Sequence, residues 1–278
     1  MSKMRTLALV LGLFVVLVGG QAFAGPLLKP GSKVPAAQDL IDQAWNSYKA
    51  DSGAATCKKC YDMLEQANKL DPNNPGILNE LARYYWEWAD QQPKATKEQQ
   101  AILVAVYKKA QGYAEQSLKL KETSGGHYWW AVNRSSSLEF ASIWDQAKAF
   151  PAIKKNSDWV SDHEPTYYYG ATGRLWTEIL SRVTKAVVKI VGFKYVQDAI
   201  DQINLAIKEE PKYLDNYLYK ARFTHVYYNN DPEALKLLDY ELKQDPNTLP
   251  TEVTANKTSQ ENARELWKKI TGKDWPNK

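Results

Sequence analysis

A fixed spacing recurs along this chain and limits what it can fold into. In CYDMLEQANKLDP, Cys60 is followed four residues later by Leu64 and eight after that by Pro72. AIDQINLAIKEEP places Ala199, Ile203 and Pro211 on the same ruler, and ALKLLDYELKQDP places Ala234, Leu238 and Pro246. A weaker copy runs through Ala110 and Ala114, with Glu122 in the proline position. A small residue lets two helices approach, a bulky one fills the groove a turn later, and a proline cannot continue the helix and so starts the next hairpin. A chain punctuated this way stacks helical hairpins; it has no use for strands.

The spacing is that of the second helix of a tetratricopeptide repeat, and Pro211 and Pro246 lie 35 residues apart, near its period of about 34. Helical periodicity runs almost without break from Ala36, and Gly and Pro stand mainly between the periodic segments. The pattern predicts helices near 36–50, 56–70, 76–91 and 98–121, a divergent central pair near 127–149 and 166–191, and then 195–209, 213–229 and 231–244. A helix near 255–271 closes the array, and FPAIKKNSDWVSDHEP, Phe150 to Pro165, is expected as a loop or short helix. The expected architecture is all-α: a tetratricopeptide-like helical-hairpin solenoid with a divergent central helix pair and a C-terminal capping helix, as one domain over 36–278. Its repeats fall near 36–72 and 76–122, the divergent centre at 126–191, and two more repeats end at 211 and 246.

The N-terminus reads as an export signal. Lys3 and Arg5 precede the apolar run Leu7 to Val18, and Ala22-Phe23-Ala24 forms a small-x-small cleavage site. Cleavage is expected after Ala24, leaving an extended leader over 25–35 (GPLLKPGSKVP) and a periplasmic protein without a lipid-bearing cysteine. Residues 1–24 hold Lys3 and Arg5 and no acid, so their removal takes two from a formal charge of +4. Near-balance and the lack of a long basic run give a nucleic-acid partner no support. Cys57 and Cys60, one helical turn apart in CKKC, are expected as a local disulfide in an oxidising compartment.

The densest aromatic stretch is SGGHYWWAVNRS, residues 124 to 135. On a helix, Trp129, Val132, Asn133, Ser136, Phe140, Ile143 and Trp144 would share one broad face, and Trp130 and Arg134 would stack four residues apart. TYYYGATGRLWTEIL then sets Gly170 and Gly173 three apart, with Tyr169 and Trp176 beside them. Two readings stand. The rings are packing, as aromatics at helical spacing in a solenoid commonly are, or their mixture with an amide and guanidiniums lines a pocket.

No G-x-S-x-G, G-x-G-x-x-G, Walker or H-E-x-x-H motif occurs, and His127, His163 and His225 are scattered singly. No catalytic residue, metal ligand or cofactor is expected. HYWWAVNRS, EPTYYYGATGRLW, AIDQINLAIKEEPKYLDNYLYKARF and TANKTSQENARELWKK, taken in order, make the chain resemble the periplasmic repeat proteins of tripartite ATP-independent periplasmic (TRAP) transporters, the T component. The resemblance implies a non-enzymatic, homo-oligomeric protein, a trimer, that docks the transporter's solute-binding protein. It further implies a cavity for an apolar small-molecule ligand. Carried onto this sequence, the candidate lining is Trp129, Trp130, Asn133, Arg134, Tyr168, Tyr169, Arg174 and Trp176. The alternative is a general cell-envelope scaffold that holds peptides on its concave face.

Overall fold

The computed structural model describes residues 26–192 and 194–276. The expected signal segment, 1–24, lies outside them. Twelve α-helices occur among the described residues, with no strand. They are α1 (Pro35–Ala50), α2 (Ala54–Leu70), α3 (Pro75–Asp90), α4 (Lys97–Leu120), α5 (Ser124–Ser136) and α6 (Ile143–His163), then α7 (Ala171–Arg182), α8 (Lys185–Val191), α9 (Lys194–Glu209), α10 (Asp215–Tyr228), α11 (Asp231–Leu242) and α12 (Val253–Thr271).

The protein is an all-α solenoid of helical hairpins. Packing pairs α1 with α2, α3 with α4, α5 with α6, α7 with α9 and α10 with α11, while α12 closes on α10 and α11. The first helices of successive hairpins also touch, α3 with α5 and α7 with α10, and so form an inner layer. Every bulky and small position of the ruler is sealed: Cys60, Leu64, Ala110, Ala114, Ala199, Ile203, Ala234 and Leu238 are all at most 1% exposed. Helix starts follow local chemistry. Asn74 accepts hydrogen bonds from the amides of Gly76 and Ile77, and Thr96 and Gln99 form a reciprocal capping box at α4.

The centre departs from expectation. The segment expected as a loop or short helix, 150–165, belongs mostly to the long helix α6, with Pro151 inside it. An interior proline forfeits one helical hydrogen bond, but Phe150, Ile153, Ser157 and Val160 are buried on either side of it and hold the helix. The helix expected over 127–149 instead ends at Ser136. Ser135 and Ser137 donate to the carbonyls of Val132 and Arg134, at 2.8 Å each, and Ser142 caps a new helix. Phe140, Ile143 and Trp144 therefore leave the expected face and are 36%, 38% and 61% exposed. The expected helix over 166–191 is three pieces: a 3-10 turn at Tyr167–Tyr169, then α7 and α8.

Candidate functional site

An apolar-floored cleft opens among α3, α5, α6, α7 and α10, with about 770 Å³ of empty space continuous with solvent. Val132, Phe150, Ile153, Leu175 and Ile179 supply its greasy surface, and Tyr128, Tyr219 and Trp86 frame it. The Trp86 indole donates to Ser136 Oγ at 2.9 Å, so a polar atom of the wall is already satisfied. Arg174, Glu178 and Arg182 come from one stripe of α7, four residues apart at each step.

Charge collects beside the cleft as a network. Glu178 accepts from Arg182 at 2.6 Å and from Arg222 at 2.8 Å. Burial pushes its carboxyl up, yet the two guanidiniums outweigh that and hold it below the ordinary range. Arg182 also lies 3.4 Å from Glu139 and 3.6 Å from Asp90, both of which pair with Lys94. Lys94, Arg182 and Arg222 thus face Asp90, Glu139 and Glu178. Arg174, which also lines the cleft, lies 3.6 Å from Asp215, so four cations balance four anions and apolar contact dominates over net charge in what this cleft can hold.

Of the eight residues singled out in the sequence, Arg174 alone lines the cleft. Trp129 and Trp176, 2% and 1% exposed, are packed into the central core. The Trp176 indole donates to Ser157 Oγ at 2.9 Å, whereas the Trp129 indole nitrogen is buried without a partner. Asn133 is fully buried and donates to the carbonyls of Ala82 and Trp129, tying α5 to α3. Trp130 donates to Glu115 at 2.9 Å, and Arg134 is half-buried and does not line the cleft. The residues missed, Leu175, Glu178, Ile179 and Arg182, carried a signal: a mixed apolar and charged stripe on a single helix.

Tyr168, Tyr169 and Arg174 make a separate construction. Tyr168 and Tyr169 have φ of 44° and 54°, and Gly170 follows at 79°. Consecutive left-handed tyrosines are costly and persist only when their surroundings impose them. Here the Arg174 guanidinium donates to the carbonyls of Tyr168 at 2.6 Å and Tyr169 at 3.1 Å, and to Asn216 at 2.7 Å. Asn216 in turn donates to Tyr169 O at 3.1 Å. The guanidinium also lies 4.9 and 4.7 Å from the Tyr168 and Tyr213 ring centroids.

The expected disulfide is not present. Cys57 and Cys60 are free and buried. Their thiols turn to different acceptors, Cys57 to Ser52 O at 3.3 Å and Cys60 to Ala44 O on α1 at 3.2 Å. Burial raises both, Cys60 to about 11, so each stays a neutral thiol at physiological pH. Among the described residues no group of three or more His, Cys, Asp or Glu could hold a metal ion. No helix among them is long and apolar enough to cross a membrane. The sequence matches no family model and no curated protein.

Proposed function

We propose that this chain is the periplasmic helical-repeat component of a TRAP-type solute-uptake system, one that docks the system's solute-binding protein and holds an apolar ligand. The observation that supports this reading is the central cleft, whose aliphatic and aromatic floor meets a charge-balanced network. Such a site suits an elongated apolar molecule with a small polar end. The protein acts by binding rather than by chemistry, and the shared use of α3, α5, α7 and α10 couples ligand occupancy to the shape of the inner layer.

The test is calorimetric titration of the exported chain with two probes, a long-chain fatty acid and the solute-binding protein encoded beside it. Binding of both is expected, with Ile179→Glu weakening the fatty acid at least about ten-fold by placing an unpaired carboxylate in the apolar wall. Flat titrations with both probes would sink the reading. The second reading, a general cell-envelope scaffold, is favoured by one observation: the extended leader lies among Trp45, Tyr48 and Arg83 of the first two hairpins.

A further inference from the structure

The polar lining of the central cleft divides into a tight half and a loose half. Arg174 is saturated, with guanidinium bonds of 2.6 Å to Tyr168 O, 2.7 Å to Asn216 and 3.1 Å to Tyr169 O. Glu178 is saturated too, one oxygen on Arg182 Nε at 2.6 Å and the other on Arg222 at 2.8 Å. The contacts between Arg182 and Glu139 are of another kind. Glu139 accepts from Lys94 at 3.1 and 3.5 Å and from Arg182 Nη1 at 3.4 Å, all beyond the usual hydrogen-bond length. Arg182 Nη2 makes no hydrogen bond among the described residues, with Asp90 standing 3.6 Å away.

Both side chains line the cleft, Arg182 35% and Glu139 21% exposed, so this loose pair sits where the apolar floor meets solvent. Gln146 lines it as well. Its amide nitrogen turns to the carbonyls of Leu138 and Ala141 at 3.2 and 3.3 Å, which leaves its own carbonyl as an acceptor. The mouth therefore has donors to spare on Arg182 and acceptors to spare on Glu139 and Gln146. A hydroxyl meets both needs, accepting from the guanidinium and donating to the carboxylate. A carboxylate head does not. It only accepts, and it would stand as one more anion beside Glu139, Glu178 and Asp90, in a network whose cations are already matched. The tyrosines that frame the cleft add no charge, because burial pushes the Tyr128 hydroxyl up to about 12 and raises that of Tyr219 well above its ordinary value.

We propose that the cleft selects apolar molecules that end in an uncharged hydroxyl over those that end in a carboxylate, and that Glu139 is the residue that sets this choice. This selectivity rests on the cleft being an apolar-ligand site, and it names the head group such a site takes. The chain of the molecule lies on Phe150, Leu175 and Ile179, and its hydroxyl inserts between Arg182 Nη1 and Glu139, replacing one long contact by two shorter ones. Lys94 keeps its hold on Glu139 when the hydroxyl enters. A fatty acid still enters by its chain, with its carboxylate left in water at the mouth.

The experiment titrates 1-decanol and decanoate at pH 8 into the full exported chain and into its Glu139→Gln variant, read by calorimetry. Any apolar site prefers the alcohol to an ionised acid of equal length, so the decisive quantity is what the substitution does to each. Glu139→Gln should tighten decanoate at least about ten-fold, by removing the anion beside its carboxylate and freeing Arg182 Nη1, and should leave decanol within about three-fold. A folded variant with unchanged decanoate affinity would overturn the proposal and leave the apolar-ligand reading standing. Flat titrations of both molecules into both chains would overturn the two together. The unaltered chain gives a second measurement that needs no variant: decanol should shift the Arg182 guanidinium nitrogen resonances in NMR spectra, and decanoate should leave them in place. An Arg182 signal indifferent to bound decanol equally overturns the proposal.

Discussion

Two groups near the inner layer, the half-buried Glu87 and the buried Arg174, illustrate how single residues govern this protein. Glu87 accepts from the Tyr48 hydroxyl at 2.9 Å. Loss of surrounding water pushes its carboxyl from 4.5 up to about 7, against the pull of Arg83 and the Tyr48 hydrogen bond. The folded state then binds the proton more tightly than the unfolded state does. Stability from this group is present below pH 4.5 and is lost as pH rises to about 7, by at most about 3 kcal/mol and less where solvent screens the carboxylate. Glu87→Gln keeps an acceptor for Tyr48 and removes the charge. It should raise the Tm at pH 8 by roughly 2–6 °C and leave it unchanged at pH 4, as calorimetry at the two pH values would register. Arg174 acts in the opposite sense, by supplying charge and donors. Arg174→Ala strands the Tyr168 and Tyr169 carbonyls and the Asn216 amide oxygen, and strain released at the two left-handed tyrosines offsets only part of that, so a loss of about 3–5 kcal/mol in urea unfolding is expected. Arg174→Lys should recover only part of it, because one ammonium cannot serve two carbonyls and Asn216 together. Neither role was visible in the sequence. Both depend on which side chains the superhelix brings together across long separations.

At the scale of elements, legibility followed periodicity. The ruler residues Cys60–Leu64, Ala199–Ile203 and Ala234–Leu238 were read correctly as helix contacts because their burial is decided within one hairpin. The centre was misread where local signals and tertiary packing conflict. Pro151 reads as a breaker but is carried within α6, and the serines 135–137 read as helix but end α5. Trp129 and Trp176 admitted two readings, packing and pocket lining, because a ring buried in a core and a ring in a cleft share the same spacing, and both lie in the core. Gly170 and Gly173 both stand where α9 approaches closely. A Cβ on Gly173 would fall 2.7 Å from Ile203 N and 2.8 Å from the Ile203 Cα, both backbone atoms of α9 that cannot rotate away. Gly112, in the middle of α4, would meet nothing within 4 Å. Two substitutions of identical chemistry should therefore differ in sign. Gly112→Ala is expected to stabilise by about 0.5–1 kcal/mol through helix propensity, while Gly173→Ala costs about 1–3 kcal/mol by forcing α7 and α9 apart. Parallel denaturant titrations decide it, and a stabilising Gly173→Ala would show that the two helices are not held in contact.

The whole array closes on itself. Lys49, at the end of α1, donates to Thr251 O at 2.5 Å and pairs with Glu252 at 3.1 Å, and Thr254 Oγ1 donates back to Lys49 O at 2.8 Å. Tyr169 reaches the same place, its hydroxyl 3.4 Å from Glu252, so the clamped central turn, the end of α1 and the start of α12 meet at one junction. This closure is polar and small, whereas each hairpin is held to the next by buried apolar residues along whole helices. In a solenoid the stability is close to a sum of hairpin and neighbour terms, so a contact between first and last helices governs shape far more than it governs unfolding. Lys49 is 37% exposed, and an ion pair of that kind contributes about 0–1 kcal/mol. Lys49→Ala should accordingly leave the melting temperature within about 2 °C of the parent, yet enlarge the maximum dimension measured by small-angle scattering as the two ends separate. Added salt should produce a smaller shift in the same direction in the parent chain, because it screens the Lys49–Glu252 pair and leaves the Thr254 hydrogen bond in place. A variant with unchanged scattering would show that packing along the inner layer, rather than this junction, sets the curvature of the array. One that unfolds early would show that the ends are part of the core after all.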